Sequence, residues 1–209
     1  MRLATALLTL LSLTGPAALL APPLAADAPQ TRVSVSDLNK HPFDVDFAPD
    51  QKIRIELRSG DCRIVGNDTH KISVRVDTKD PDKARDVTVH FKHFGNHGDL
   101  RIYGGPRNDI QITIEIPRDS GVVVRMPFGD LTIEGISGDK DVELHAGDLS
   151  IAVGAAAEYG HVDASVISGD LQAEPFGESH SGLFRSFEKT GAGRYRLHVH
   201  LGAGDLTLR

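Results

Sequence analysis

Residues 128–153 read FGDLTIEGISGDKDVELHAGDLSIAV, and their internal repetition decides the fold class. Gly129-Asp130-Leu131-Thr132-Ile133 returns eighteen residues later as Gly147-Asp148-Leu149-Ser150-Ile151. Each copy is a turn signal followed by a period-two run, with Leu and Ile on one face and Thr or Ser on the other.

The same punctuation recurs outward from this stretch. It stands at Gly60-Asp61-Cys62-Arg63-Ile64, Gly98-Asp99-Leu100-Arg101-Ile102, Gly169-Asp170-Leu171-Gln172-Ala173 and Gly204-Asp205-Leu206-Thr207-Leu208. The six copies are 38, 31, 18, 22 and 35 residues apart. The short spacings fit one turn-strand-turn-strand rung, and the long ones fit two rungs or a rung with an excursion. A rung of two short strands cannot bury its apolar face alone, whereas stacked rungs share one interior. Glycine supplies the positive φ that such breaks require, and the aspartate that follows can accept backbone N–H groups of its turn. The expected fold is therefore all-β, a single-domain β-solenoid. A β-sandwich is the second choice, since it too has many short strands. Sandwiches rarely keep one turn sequence six times.

Between these units lies a second strand type with the same alternation, as in Ile72–Val76, Val87–Phe91, Ile110–Ile116, Val142–Leu144 and Tyr195–Leu201. Three strands precede the first unit, around Val33–Val35, Phe43–Phe47 and Lys52–Arg58. Only Pro81 to Asp86 offers a helical turn.

Residues 1–26 differ in kind. Arg2, the apolar run Leu3–Leu13 and the small residues of Leu24-Ala25-Ala26 have the layout of a secretory signal peptide, so the expected domain is 27–209. The run is broken by Gly15-Pro16 and Pro22-Pro23, too short for a spanning helix. No later stretch is apolar enough to span, so no transmembrane segment is expected after leader cleavage. An exported chain belongs in the periplasm or outside the cell. The 29 acidic residues against 23 basic ones disfavour nucleic acid as a partner. Cys62 is the only cysteine and fills a slot that Leu fills elsewhere, so it reads as a small buried hydrophobe.

The opening FDVDFAPDQKIRIELRSGDCRIVG, from Phe43, followed by spaced GD-L-x-I units, resembles the adhesin-like, GIN-type head domains of exported bacterial proteins. The resemblance runs from about Phe43 to Arg209. It implies a β-solenoid in an envelope or extracellular setting, and it brings no catalytic residues.

Few constellations carry chemistry. A column of Asp61, Asp99, Asp130, Asp148, Asp170 and Asp205 invites calcium, but the nine-residue period of calcium-binding β-helix repeats is absent and turn capping explains these residues. His90, His93 and His97 lie close in sequence, and His198 and His200 share one face of a strand. These five are the candidate metal ligands, with exposed imidazoles as the plainer reading. No nucleophile elbow, metalloprotease helix or phosphate loop occurs. Glu134 and Glu143 are the carboxylate pair considered for acid/base work of a carbohydrate-active enzyme. No catalytic residue and no cofactor is expected.

The chain ends at Leu206-Thr207-Leu208-Arg209, inside a repeat strand. A bare solenoid end exposes apolar groups and unpaired backbone. The N-terminal strands, the Glu178–Lys189 excursion or a second chain must cover it, so a homo-oligomer through that end is one expectation. The sequence thus points to an exported, non-enzymatic, adhesin-like or scaffolding module whose partner is an envelope protein or glycan. The alternative is a periplasmic metal- or envelope-ligand-binding module.

Overall fold

The computed structural model describes residues 31–209 except 39–40, 80–81, 83–84 and 107–108. The expected leader and half of the Pro81–Asp86 turn fall outside the described residues. Sixteen strands follow in chain order: β1 (Thr31–Ser36), β2 (Phe43–Asp46), β3 (Lys52–Leu57), β4 (Asp61–Asn67), β5 (Lys71–Thr78), β6 (Thr88–Phe94), β7 (His97–Tyr103) and β8 (Ile110–Pro117). Then come β9 (Gly121–Phe128), β10 (Leu131–Glu134), β11 (Lys140–Ala146), β12 (Leu149–Ile151), β13 (Tyr159–Ala173), β14 (Glu178–Thr190), β15 (Tyr195–Ala203) and β16 (Leu206–Leu208). Single 3-10 turns at Ala156–Glu158 and Glu174–Phe176 flank β13.

Two parallel ladders form a coil. One runs β7-β3-β9-β11-β15-β13 and the other β8-β4-β10-β12-β16-β13, with β13 long enough to bend from the first ladder into the second. Each coil is a pair of strands adjacent in the chain, such as β3 with β4 or β9 with β10. Stacking order differs from chain order. The β7–β8 coil lies outside β3–β4, and β15–β16 lies between β11–β12 and the bent β13. The expected all-β solenoid is the observed architecture.

Register explains the alternation seen in the sequence. Cys62, Leu131, Leu149, Leu206 and Leu171 form one inward row, and Ile64, Ile133, Ile151, Leu208 and Ala173 form the next. All ten are buried. Val124, Val142, Val199 and Ala164 face them from the first ladder and are fully buried. Each Leu or Ile removed from water contributes roughly 1.5–3 kcal/mol, and the rows continue without a gap from coil to coil. Burial also pushes the Cys62 thiol pKa well up, which keeps it protonated and unreactive.

The two ends are built differently. At one, β6 pairs antiparallel with β7 and carries β1, while β5 pairs antiparallel with β8 and carries β2. Phe43 and Phe47 meet Phe91 edge-on at ring distances of 6.1 and 6.2 Å. At the other end β14 runs antiparallel along both halves of β13. The C-terminal strand β16 is not an end at all: it pairs with β12 on one side and β13 on the other. The strand that closes the coil is β14, the Glu178–Lys189 excursion of the sequence.

Candidate functional site

Five of the six Gly-Asp pairs occupy one corner of the coil. A Cβ on Gly129 would lie 2.1 Å from the Gly60 carbonyl oxygen; one on Gly147 would meet the Gly129 carbonyl, one on Gly204 that of Gly147 and one on Gly169 that of Gly204, at 2.1, 2.0 and 1.9 Å. All five glycines have positive φ. The column exists because nothing larger than hydrogen fits between stacked corners.

The aspartates form a second column beside it. Asp130 Oδ1 accepts the Asp148 N–H at 3.0 Å, Asp148 Oδ1 accepts the Asp205 N–H at 3.1 Å, and Asp205 Oδ1 accepts the Asp170 N–H at 3.0 Å. Each of these carboxylates thus bonds the amide of the next coil, a charge-assisted link that holds like charges in one row. Among the described residues no group of three or more His, Cys, Asp or Glu side chains is placed to hold a metal ion.

Gly98-Asp99 departs from the expected turn role. It lies within β7, where Gly98 pairs with Ile53. Its glycine answers a different demand: a Cβ there would meet the Phe47 ring at 2.8 Å and the Phe91 ring at 3.1 Å. Asp99 lies half-buried on the outward face and binds Arg101 at 3.0 Å. The β7–β8 corner is made instead by the segment containing Gly104, Gly105 and Asp109, all at positive φ.

The outward face of the first ladder is a lattice of opposite charges. Arg54 meets Glu56 at 2.7 Å, Arg101 reaches both Asp99 and Glu56, and Arg125 reaches Asp141 at 2.9 Å and Glu143 at 3.2 Å. The outward face of the second ladder is quieter. Thr132, Ser150, Thr207 and Gln172 form one row across it. Beside them Glu134 is clamped by Arg63 and Arg209, both at 2.6 Å. The Arg63 hydrogen bond leads in holding the Glu134 carboxyl below the usual carboxylate range. Glu134 and Glu143 therefore sit on opposite faces of the coil, each tied to arginine, and do not form an acid/base pair.

The candidate histidines separate into three settings. His90 and His97 lie on the outward face of the β6–β7 hairpin, with ring neighbours Tyr103 and Phe94 at 5.6 Å each. His93 is on the other face, packed on Phe47 and Phe91, with Nε2 3.0 Å from Gln51 Oε1. The triplet does not converge. His198 and His200 do share a face of β15: His198 Nδ1 lies 3.1 Å from Asp163 Oδ2, and His200 Nδ1 lies 2.9 Å from Ser165 Oγ.

One buried cation belongs to none of these motifs. Lys140 is 1 % exposed and stands on the inward side of β11, in line with Val142 and Leu144. Its ammonium donates to the Gly138 carbonyl at 3.1 Å and to Tyr159 Oη at 2.6 Å, while Tyr159 Oη donates to the Val153 carbonyl at 3.1 Å. The ammonium also lies 5.1 Å from the Tyr159 ring centre. Burial lowers the Lys140 pKa to about 8, against smaller opposing pulls from Glu158 and Asp139. Burial first, then the charge of Glu158, pushes the Tyr159 phenol upward. The only signal in the sequence was parity, with Lys140 two places before Val142 on an inward row.

Open clefts mark the surface among the described residues. One of about 600 Å³ lies at the corner between Arg58, Asp61, Asp109 and the exposed Phe128. Another of about 700 Å³ opens at the phenylalanine end beside Asp44, Asp46, His70 and His93.

No protein-family model matches the chain, and no curated protein matches it. Among solved structures it is similar to a candidate cell adhesion protein from Clostridium sporogenes, at 11% identity over 80% of this chain and all of that one, with a TM-score of 0.48. It is also similar to a candidate adhesin from Bacteroides fragilis, at 10% identity over 86% of this chain and 97% of that one, with a TM-score of 0.33.

Proposed function

We propose that this chain is an exported, non-enzymatic, adhesin-like or scaffolding interaction module of the bacterial cell envelope. The observation that carries this reading is the outward face of the first ladder. There Arg54, Glu56, Arg101, Arg125, Asp141 and Glu143 hold one another on a rigid sheet by contacts of 2.7–3.3 Å. Such a face presents fixed charges of both signs over a broad area, which suits many weak contacts to an extended envelope protein or glycan. The leader-like start supports export, and the fold agrees with the family the sequence resembles.

Co-sedimentation of purified protein with isolated envelope fractions tests it. Binding should fall as salt rises, because exposed charges are screened. It should weaken further in an Arg101→Glu/Arg125→Glu variant. Absence of co-sedimentation at low salt, or turnover of envelope polysaccharide by the purified protein, would overturn the reading.

A second reading, metal binding, is favoured by one observation. Asp163 and Ser165 engage the Nδ1 atoms of His198 and His200, as outer-shell groups do for ligating imidazoles. Calorimetric titration with zinc or copper decides it. Saturable heat that disappears in His198→Ala/His200→Ala would establish this reading, and no heat would leave the interaction module standing.

A further inference from the structure

We propose that β14 is the docking edge for a second copy of this chain, with the two β14 strands pairing antiparallel about a two-fold axis between Leu183 and Phe184. Among the described strands β14 pairs with β13 alone, so thirteen residues present one free backbone edge. A long open edge is an invitation to another strand. At its centre Leu183 is 62 % exposed and Phe184 is 78 % exposed. Phe184 is also held at φ +55, a conformation that costs a bulky residue energy and that proteins keep where something is gained by it.

The occupant follows from the strand's own pattern. Side chains directly opposite one another in an antiparallel pair share a face. On one arm of β14, Lys189, Phe187 and Arg185 lie opposite the buried Val162, Ala164 and Val166 of β13, so they occupy inward positions. On the other arm His180 and Glu178 lie opposite the buried Leu171 and Ala173. Inward positions are thus odd-numbered after the corner and even-numbered before it. The strand is mirror-patterned about the 183/184 bond.

A second β14 laid antiparallel with Leu183 opposite Phe184 of the partner keeps every inward residue opposite an inward one. It sets Glu178 opposite the partner subunit's Lys189, His180 opposite the partner's Phe187, and Ser181 opposite the partner's Ser186. Moving the register by one residue would put inward Glu178 opposite outward Thr190. Glu178, which meets His180 at 3.0 Å, and Lys189, whose ammonium donates to the Phe176 carbonyl at 2.9 Å, are thereby brought opposite each other twice, and an isologous contact closes after two copies. The same inward charges discourage pairing with an arbitrary strand, so they select the partner as well as the register.

Sedimentation equilibrium across a wide concentration range should show a monomer–dimer equilibrium. Phe184→Asp places two carboxylates at the axis and should weaken the dimer roughly a hundredfold, with no loss of monomer stability at low protein concentration, because the side chain is exposed and aspartate tolerates a positive φ. A Ser181→Cys/Ser186→Cys variant should oxidise to a covalent dimer. Those two positions are too far apart along an extended strand for an internal bridge. Cys62 is buried and takes no part. Ser179→Cys/Ser186→Cys, out of register, should cross-link far less. A monomer at every concentration would overturn the proposal, as would a dimer indifferent to Phe184→Asp or equal cross-linking by the two cysteine pairs. None of these outcomes depends on the envelope role proposed above.

Discussion

At one end of the coil four extra strands fold over the last rung and bury Phe43, Phe47 and Phe91 at 1 % exposure each. At the other end a single bent strand lies along β13, and its inward positions hold Lys189, Arg185, His180 and Glu178 beside Phe187. Both ends stack aromatic rings. At the β14 end the rings are Tyr159, Phe176 and Phe187, with successive centres 5.9–6.1 Å apart, and the Lys140 ammonium reaches from β11 to the Tyr159 ring. A stack of coils must stop somewhere, and its last apolar row must be covered or made polar. This molecule uses both solutions, one at each end. The dry end adds burial, while the charged end keeps its edge soluble and available to a matching strand.

That contrast is most exposed to test through its aromatic residues. Phe91→Ala should cost about 3–5 kcal/mol, the range for emptying a buried phenylalanine site that cannot collapse. Phe176→Ala at the charged end should cost at least about 1 kcal/mol less, because a surface-adjacent site can rehydrate. Urea unfolding of both variants decides the point. Equal losses would mean that the two ends are energetically alike.

Glycine substitutions sharpen the same comparison between the coil's middle and its dry end. Gly204→Ala must hold alanine at φ +128 and drive its Cβ against the Gly147 carbonyl, which is backbone and cannot swing away. The expected loss is about 3 kcal/mol or more. Gly98→Ala meets only the edges of two phenylalanine rings and has no positive φ, so about 1–2 kcal/mol is expected. Thermal or urea denaturation of the pair checks the order. A larger loss at Gly98 would show that the corner column tolerates adjustment and that the phenylalanine cluster does not.

Much of this was legible because alternation and turn chemistry act locally. The Leu and Ile after each Gly-Asp declared an inward row, and Cys62 was recognisable by occupying a Leu position. Stacking order was not legible: nothing near Tyr195 tells the chain to insert β15–β16 between coils already made, since that choice is a long-range pairing. Gly98-Asp99 matched the motif letter for letter, yet its glycine serves ring packing. A dipeptide signal cannot tell a turn from a close approach. The C-terminal strand looked bare because its neighbours, β12 and β13, come from well before it in the chain.

Lys140 gives the smallest and most specific test of the charged end. Its pKa of about 8 lies below the ordinary 10.5, so between those values the unfolded chain holds a proton that the folded chain has released. Stability must then rise with pH in that window, by at most about 1.4 kcal/mol per unit. Cys62 works in the opposite sense, because its buried thiol keeps its proton above the ordinary 9.0, where the unfolded chain loses it. Of Lys140, Cys62 and Tyr159, Lys140 is the one that acts between about pH 8 and 9, and urea midpoints should climb there by the equivalent of about 1 kcal/mol. Lys140→Met should flatten that climb, whereas Cys62→Ala should extend it toward pH 10, where Tyr159 begins to oppose it. If Lys140→Met kept the wild-type climb, the ammonium would be reaching water and the charged end would be wetter than its packing implies. If the climb vanished only in Lys140→Met, the buried cation that reaches Tyr159 would be the source of the pH dependence, a feature the phenylalanine cluster does not share.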